Sequence, residues 1–203
     1  MAERALPSPY LPEPYRIRRR RRETADTWTL ELEPADGGEV FAYEPGQFTM
    51  VYSFGAGEVP ISISGDPARR DRLVHTIRVA GATTRAVCEL KRGGILGIRG
   101  PYGTAWPVEG AEGGDLVVAA GGIGLAPLRP ALYAALARRD AFERIVLLYG
   151  SRSPDQLLYA GELERLRGRG VEVHVTVDRA DDAWRGQVGV VTTLIDRADF
   201  DHD

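Results

Sequence analysis

From residue 115 to residue 132 the chain reads DLVVAAGGIGLAPLRPAL, an apolar run followed by Gly121, Gly122 and Gly124 and then a helix-like stretch. A strand feeding glycines and then a helix is suited to pyrophosphate. Glycine permits close backbone approach, and the first amides of a helix point unpaired donors at an anion. The pattern is G-x-G-x-x-P, with Ile123 between the last two glycines and Pro127 where a dinucleotide fingerprint has its third glycine. Proline fixes its dihedral and suits a helix entry, so Pro127 is expected to open the helix, with Pro130 pushing the regular start toward Leu128. A tight strand-to-helix turn without a ligand is the other reading of the loop.

The next apolar run ends LLYGSRSPD, placing Ser151 and Arg152 where many NAD-specific proteins carry an acid for the ribose hydroxyls. Arginine there suits a 2'-phosphate and hints at NADP; a plain surface arginine is equally compatible. Asp178 follows VEVHVTV, and strand C-terminal ends face the ligand crevice in such sheets, although an exposed turn acid is the alternative. GATT, residues 81 to 84, opens a second helix whose N-terminus suits phosphate, with threonine hydroxyls as added donors or as simple caps. His75 and His174 lie in strand patterns and His202 in the tail, so the spacing supports neither a metal site nor a triad.

Two kinds of element must position these residues. From Tyr15 to about Pro107 run short β-rich segments: YRIRRRRRE, TWTLELEP, QFTMVYSF, VPISIS, VHTIRVA and GILGIRG. Their turn-residue punctuation predicts an antiparallel barrel or sandwich over residues 15–109, interrupted by one helix in GATTRAVCELKRGG. Ala86, Val87 and Leu90 share a face of that helix, a threonine can cap its start, Gly93 can end it, and Cys88 packs within it. After GAEGG come the near-continuous apolar runs DLVVAA, RIVLLYG and VEVHVTV, alternating with helices as in a parallel α/β sheet spanning 115–203. Ser153, Pro154 and Gln156 spell a capping box for the second of these helices, with Leu157, Leu158, Leu163 and Leu166 as its buried stripe. Gly186 and Gly189 mark the turn into a last helix.

With 203 residues, 43% hydrophobic and 27% charged, the chain is long enough for two cored domains, and no apolar run approaches membrane-helix length. Residues 1–14, with Pro7, Pro9, Pro12 and Pro14, read as an extended lead-in without a secretory signal. One cysteine allows no internal disulfide, and both facts point to the cytoplasm. The net charge of −3 gives no nucleic-acid signal. The run from Arg18 to Arg22 is expected to be a solvated strand face, with a partner-docking surface as the other reading.

Five motifs in order resemble the ferredoxin-NADP reductase superfamily: PGQF at 45–48, VPISIS at 59–64, IRVAGATT at 77–84, GIRGPYGTAW at 97–106 and AAGGIGLAPLRPAL. Within it, GEVPISISGDP is most similar to the small electron-transfer subunits, the gamma subunit of cytoplasmic sulfhydrogenases and that of dihydroorotate dehydrogenase. The resemblance implies a flavin barrel followed by a nucleotide domain, with hydride passing between NAD(P)H and FAD and electrons then leaving to a partner subunit. It implies that Val59, Pro60, Ile61 and Ser62 lie along the flavin, with Ser62 near its reactive edge. Thr76, Ile77 and Arg78 would form a second flavin-contacting strand, and Gly81, Thr83 and Thr84 would face the phosphates. The chain departs from the superfamily at Val59, where an arginine stands in the motif, and at Ile61, which replaces an aromatic; FMN is therefore a less favoured alternative to FAD. The family's later Cys-Gly-Pro strand, and the cysteine cluster that binds a two-iron two-sulfur centre in the electron-transfer subunits, are not in this sequence. The expectation is a C-terminally truncated member, which a non-catalytic flavin- or nucleotide-binding remnant acting as a partner-binding module would also fit.

Overall fold

The structure, a computed structural model, describes residues 10–198 and 200; most of the lead-in and His202 lie outside the described residues. The strands form two sheets. The first is antiparallel: β1 (Glu13–Arg22), β2 (Thr27–Pro34), β3 (Phe48–Ser53), β4 (Gly57–Ser62), β5 (Leu73–Arg78) and β6 (Ile95–Tyr102), in the order β4-β3-β6-β1-β2-β5. Its two edge strands approach one another where Ile63 bridges to His75, curling the sheet toward closure. Alternating inward residues build the core, with Tyr15, Ile17, Leu30, Leu32, Val51, Leu96 and Ile98 at 1% exposure or less.

The expected strand TWTLELEP coincides with β2, whereas β1 begins at Glu13, inside the expected lead-in. The arginine run is a strand with a bulge between Ile17 and Arg19, so Arg18 is the extra residue. Arg20 then lies 3.4 Å from the Trp28 ring centroid, Arg18 pairs with Asp71 and Arg21 with Glu23. In PGQF, Gly46 sits at φ +104 and a Cβ there would come within 2.9 Å of the Thr104 carbonyl oxygen, so this turn needs glycine on both counts.

Helix α1 (Ala82–Glu89) buries Val87 and Cys88 against the barrel, and burial raises the Cys88 thiol pKa to about 11. Its cap differs from the expectation. Gly81 is the N-cap residue, and Thr84, from the third helical position, reaches back to accept from the amides of Ala80 and Gly81.

The second sheet is parallel, β7 (Leu116–Gly121), β8 (Ile145–Ser151), β9 (Glu172–Val177) and β10 (Gln187–Val188), in the order β10-β9-β8-β7. Strand β8 is buried along its whole length. Ile145, Leu147 and Tyr149 pack on the side of the α-helices, while Val146 and Leu148 pack against Leu194 and Ala198 on the other face. The fourth strand corrects the expected count of three parallel strands. Beyond it, Val191–Arg197 is a 3-10 helix rather than an α-helix.

Two further expectations are corrected. Helix α2 (Leu125–Ala137) starts before Pro127, which occupies its third position, where the amide would be unpaired in any case. Pro130 lies inside the helix and does not delay its start. The capping box at Ser153 does not form: Pro154–Gln156 is a single 3-10 turn, and Ser153 Oγ donates to Asp155 instead. The buried Tyr149 hydroxyl takes the Leu158 amide at 3.0 Å, the chain turns at Tyr159 (φ 57), and α3 covers only Ala160–Arg167.

Candidate functional site

Strands β7, β8 and β9 end side by side, and the backbone runs on in step, with the Asp178 amide donating to the Ser151 carbonyl at 2.8 Å. Gly121, Gly122, Ile123, Ser151, Arg152 and Asp178 therefore line one cleft of about 330 Å³. Gly122–Gly124 forms a 3-10 turn that runs directly into α2. Gly121 and Gly124 face open space, with no atom within 4 Å of a would-be Cβ, so the loop backbone is bare toward solvent. Gly124 and Pro127 do not line the cleft; the Pro127 carbonyl accepts from Trp106 Nε1 at 3.2 Å, tying α2 to the segment after the barrel.

The cleft also holds residues that sequence spacing missed: Gln156, Val190, Val191 and Gly150. At Gly150 a Cβ would lie 2.8 Å from Val191 Cβ, so the glycine lets the 3-10 segment close over the sheet. Ser151 is buried, and its hydroxyl donates back to the Ser153 carbonyl at 3.1 Å, which leaves Arg152 as the exposed polar group of the pair.

Arg78, expected on a flavin strand, reaches the cleft from β5. Its Nη2 lies 3.7 Å from a would-be Cβ on Gly122, and its Nε, 3.7 Å from Asp26 Oδ2, is buried with no hydrogen-bond partner. A guanidinium over a bare glycine turn, with an unmet donor, fits a nucleotide pyrophosphate. Thr76 and Ile77 behave differently. Ile77 is 1% exposed in the core, and the Thr76 hydroxyl is held by Thr29, Ser64 and Tyr159.

Of the expected flavin strand, Val59, Ile61 and Ser62 are half-buried and Pro60 is exposed, along β4 at the open edge of its sheet. An edge strand carries backbone donors and acceptors that no neighbour uses, which fits a planar, hydrogen-bonding ring system. At the far end of β4, Thr83 Oγ1 donates to the Ala56 carbonyl at 2.9 Å, and Gly81 faces open space at the start of α1. Both threonine hydroxyls serve internal bonds, so the helix-start amides are the remaining donors for phosphate. Arg99, on β6, pairs with Glu58 at 2.7 Å, beside the position where Val59 replaces the motif arginine.

Between the two sheets sits a buried polar cluster. Arg129 of α2 donates to the Ser64 carbonyl at 2.8 Å and grips both Glu162 carboxylate oxygens, at 3.0 and 2.7 Å. Its guanidinium lies 4.0 Å from the Tyr159 ring centroid. Burial opposes the Arg129 charge, but Tyr159, Tyr133 and Glu162 outweigh it and raise its pKa; burial likewise opposes the Glu162 charge, and Arg129 holds that carboxyl below its usual range. An arginine in the otherwise apolar stretch LAPLRPAL was the one trace of this cluster in the sequence.

An antiparallel barrel joined to a parallel sheet with a GGIG loop has the ferredoxin-NADP reductase-like fold. Residues 118–202 match the family model described as the oxidoreductase NAD-binding domain.

The chain is 39% identical over 142 residues to the sulfhydrogenase 2 gamma subunit of Pyrococcus furiosus, covering 70% of this chain and 49% of that one. It is 35% identical over 175 residues to a probable dihydroorotate dehydrogenase B electron transfer subunit of Methanocella arvoryzae, covering 86% and 60%. The FAD/NAD-binding domain of a Vibrio cholerae nitric oxide dioxygenase superposes with a TM-score of 0.76 at 19% identity, over 88% of this chain and 79% of that one. The chain thus spans about half to three-fifths of the curated relatives' length.

Proposed function

We propose that this chain moves reducing equivalents from NAD(P)H to FAD and on to a partner subunit, as an electron-transfer component of a complex of the hydrogenase or dihydroorotate dehydrogenase kind, in the cytoplasm. The carrying observation is that β5 and the GGIG loop converge, bringing Arg78 of the barrel into the nucleotide cleft. On this reading residues 15–109 form the flavin domain and 115–203 the nucleotide domain. The two cofactors supply hydride donor and acceptor, and the protein supplies alignment.

In the nucleotide domain, the amides of Gly121, Gly122 and Ile123 with Arg78 hold the pyrophosphate. Arg152 and Asp178 address the ribose end, with Arg152 favouring a 2'-phosphate. In the barrel, Val59 to Ser62 support the flavin ring, Ser62 at its reactive edge, while the amides of Ala82, Thr83 and Thr84 at the start of α1, beside the bare Gly81, receive its phosphates. A second reading, a partner-binding module without turnover, draws on β7, which among the described residues pairs on one side only.

The test is to purify the chain, add FAD and titrate anaerobically with NADH or NADPH. Retained yellow colour that bleaches supports electron transfer. Colourless protein that gains no flavin overturns it in favour of the module, and bound flavin that never bleaches removes the nicotinamide step.

A further inference from the structure

A second concavity opens between the two halves of the chain, with a volume of about 410 Å³ and no lining residue in common with the nucleotide cleft. Seven of its lining residues are arginines and three are carboxylic acids, in a chain whose net charge is −3. The bulge in β1 contributes here: by changing which side chains alternate inward, it aims Arg19 and Arg21 at the groove, opposite Glu31 and Thr29. Arg69 enters from the loop after β4, and Arg165 and Arg169 enter from α3 and the residues just beyond it.

These arginines are not all spent. Arg72 pairs with Glu31 and Asp71, and Arg129 is locked to Glu162, whereas Arg69 and Arg169 have no carboxylate partner among the described residues. Behind the groove wall the Tyr43 hydroxyl is buried with no hydrogen-bond partner, 3.0 Å from a would-be Cβ on the lining residue Gly65. A concave site at a domain junction, of small-molecule size and walled by guanidinium forks from both sides, matches a ligand with several phosphate oxygens.

We propose that this groove binds a compact oligophosphate, either free or as the phosphate tail of a nucleotide, held by Arg69 from the barrel side and by Arg165 of α3 and Arg169 just beyond it. Such a ligand bridges the two halves of the chain in a groove that shares no lining residue with the cleft of the glycine loop.

Isothermal titration of the full chain with tripolyphosphate, at about 0.15 M salt to screen loose surface attraction, is expected to give saturable one-to-one binding and a raised melting temperature. R165E/R169E should weaken binding at least about tenfold, because two charge-assisted contacts are lost. R92E, which reverses a charge on the neighbouring surface outside this groove, should leave it unchanged. If the double variant fails to fold by its melting curve, Arg69→Ala takes its place. Absence of saturable binding, an unaffected groove variant, or equal weakening by R92E overturns the proposal. A parallel titration with ATP identifies the source: tighter groove-dependent binding than tripolyphosphate indicates a nucleotide, and equal binding a free oligophosphate.

Discussion

The Tyr159 hydroxyl donates to Thr76 Oγ1 at 2.7 Å, joining the residue that opens α3 to the strand of the barrel that carries Arg78. The same ring lies beneath Arg129, whose guanidinium holds the Ser64 carbonyl just beyond β4. The candidate nucleotide cleft and the candidate flavin strand are therefore registered to one another by a few buried polar contacts between the sheets. Removing the Arg129 cation leaves Glu162 buried without its partner, so Arg129→Met should cost roughly 3–5 kcal/mol, while Tyr159→Phe should cost about 1 kcal/mol. Urea unfolding checks this, and Arg129→Met with Glu162→Gln should be more stable than Arg129→Met alone.

His75 is fully buried, with Nε2 3.0 Å from Thr49 Oγ1 and Nδ1 2.9 Å from the Ser62 carbonyl. Burial lowers its pKa from 6.5 to about 4, so it is neutral when folded and the unfolded chain takes up its proton first. Its stabilising effect is whole above pH 6.5 and is lost as pH falls toward about 4, by up to about 3 kcal/mol. Urea midpoints measured across that window should fall with acid in the native chain and flatten in His75→Gln. Asp26, Asp71 and Glu162, all held below their ordinary values, add their loss at lower pH, beneath the usual carboxylate range.

Gly150→Ala should push Val191 out of the cleft wall, because the new methyl lies 2.8 Å from Val191 Cβ. The expected cost is about 1–3 kcal/mol by thermal denaturation. Adding Val191→Ala should recover part of it, whereas an equal loss in single and double variants would mean the two residues do not meet.

Arg152 is exposed on the cleft rim. Arg152→Ala should weaken NADPH about tenfold or more while leaving NADH nearly unchanged, since only the former offers a phosphate for the fork. Fluorescence titration with both nucleotides reads this directly, and parallel losses would assign the residue a general role.

Much of this architecture is legible in local pattern. Alternation marks β2, and continuous apolar runs mark β7 and β8, because a strand's burial is written in its own residues. The strand-glycine-helix order likewise locates the cleft. What local pattern missed was decided by distant partners. Ser153 looks like an N-cap, yet Tyr149 captures the Leu158 amide and delays the helix to Ala160. Arg129 meets Glu162 across 33 positions, a pairing no window reveals, and β10 has only two residues, too few to show a period. Arg78 sits in an ordinary strand pattern, and only the closeness of the two sheets carries its head to Gly122.

The bulge at Arg18 gives the arginine run a property that composition hides. Five identical residues look interchangeable, but strand side chains obey parity, and one surplus residue reverses it for everything downstream. With the bulge, Arg20 faces Trp28 while Arg19 and Arg21 face the groove. Delete one of the five and the bulge closes, leaving the four remaining guanidiniums opposite Glu31, Leu30, Thr29 and Trp28 in the same alternation. The run thus carries one residue in reserve, like slack in a line: the first loss is taken up at the bulge, and only a second would turn the remaining guanidiniums to the opposite face.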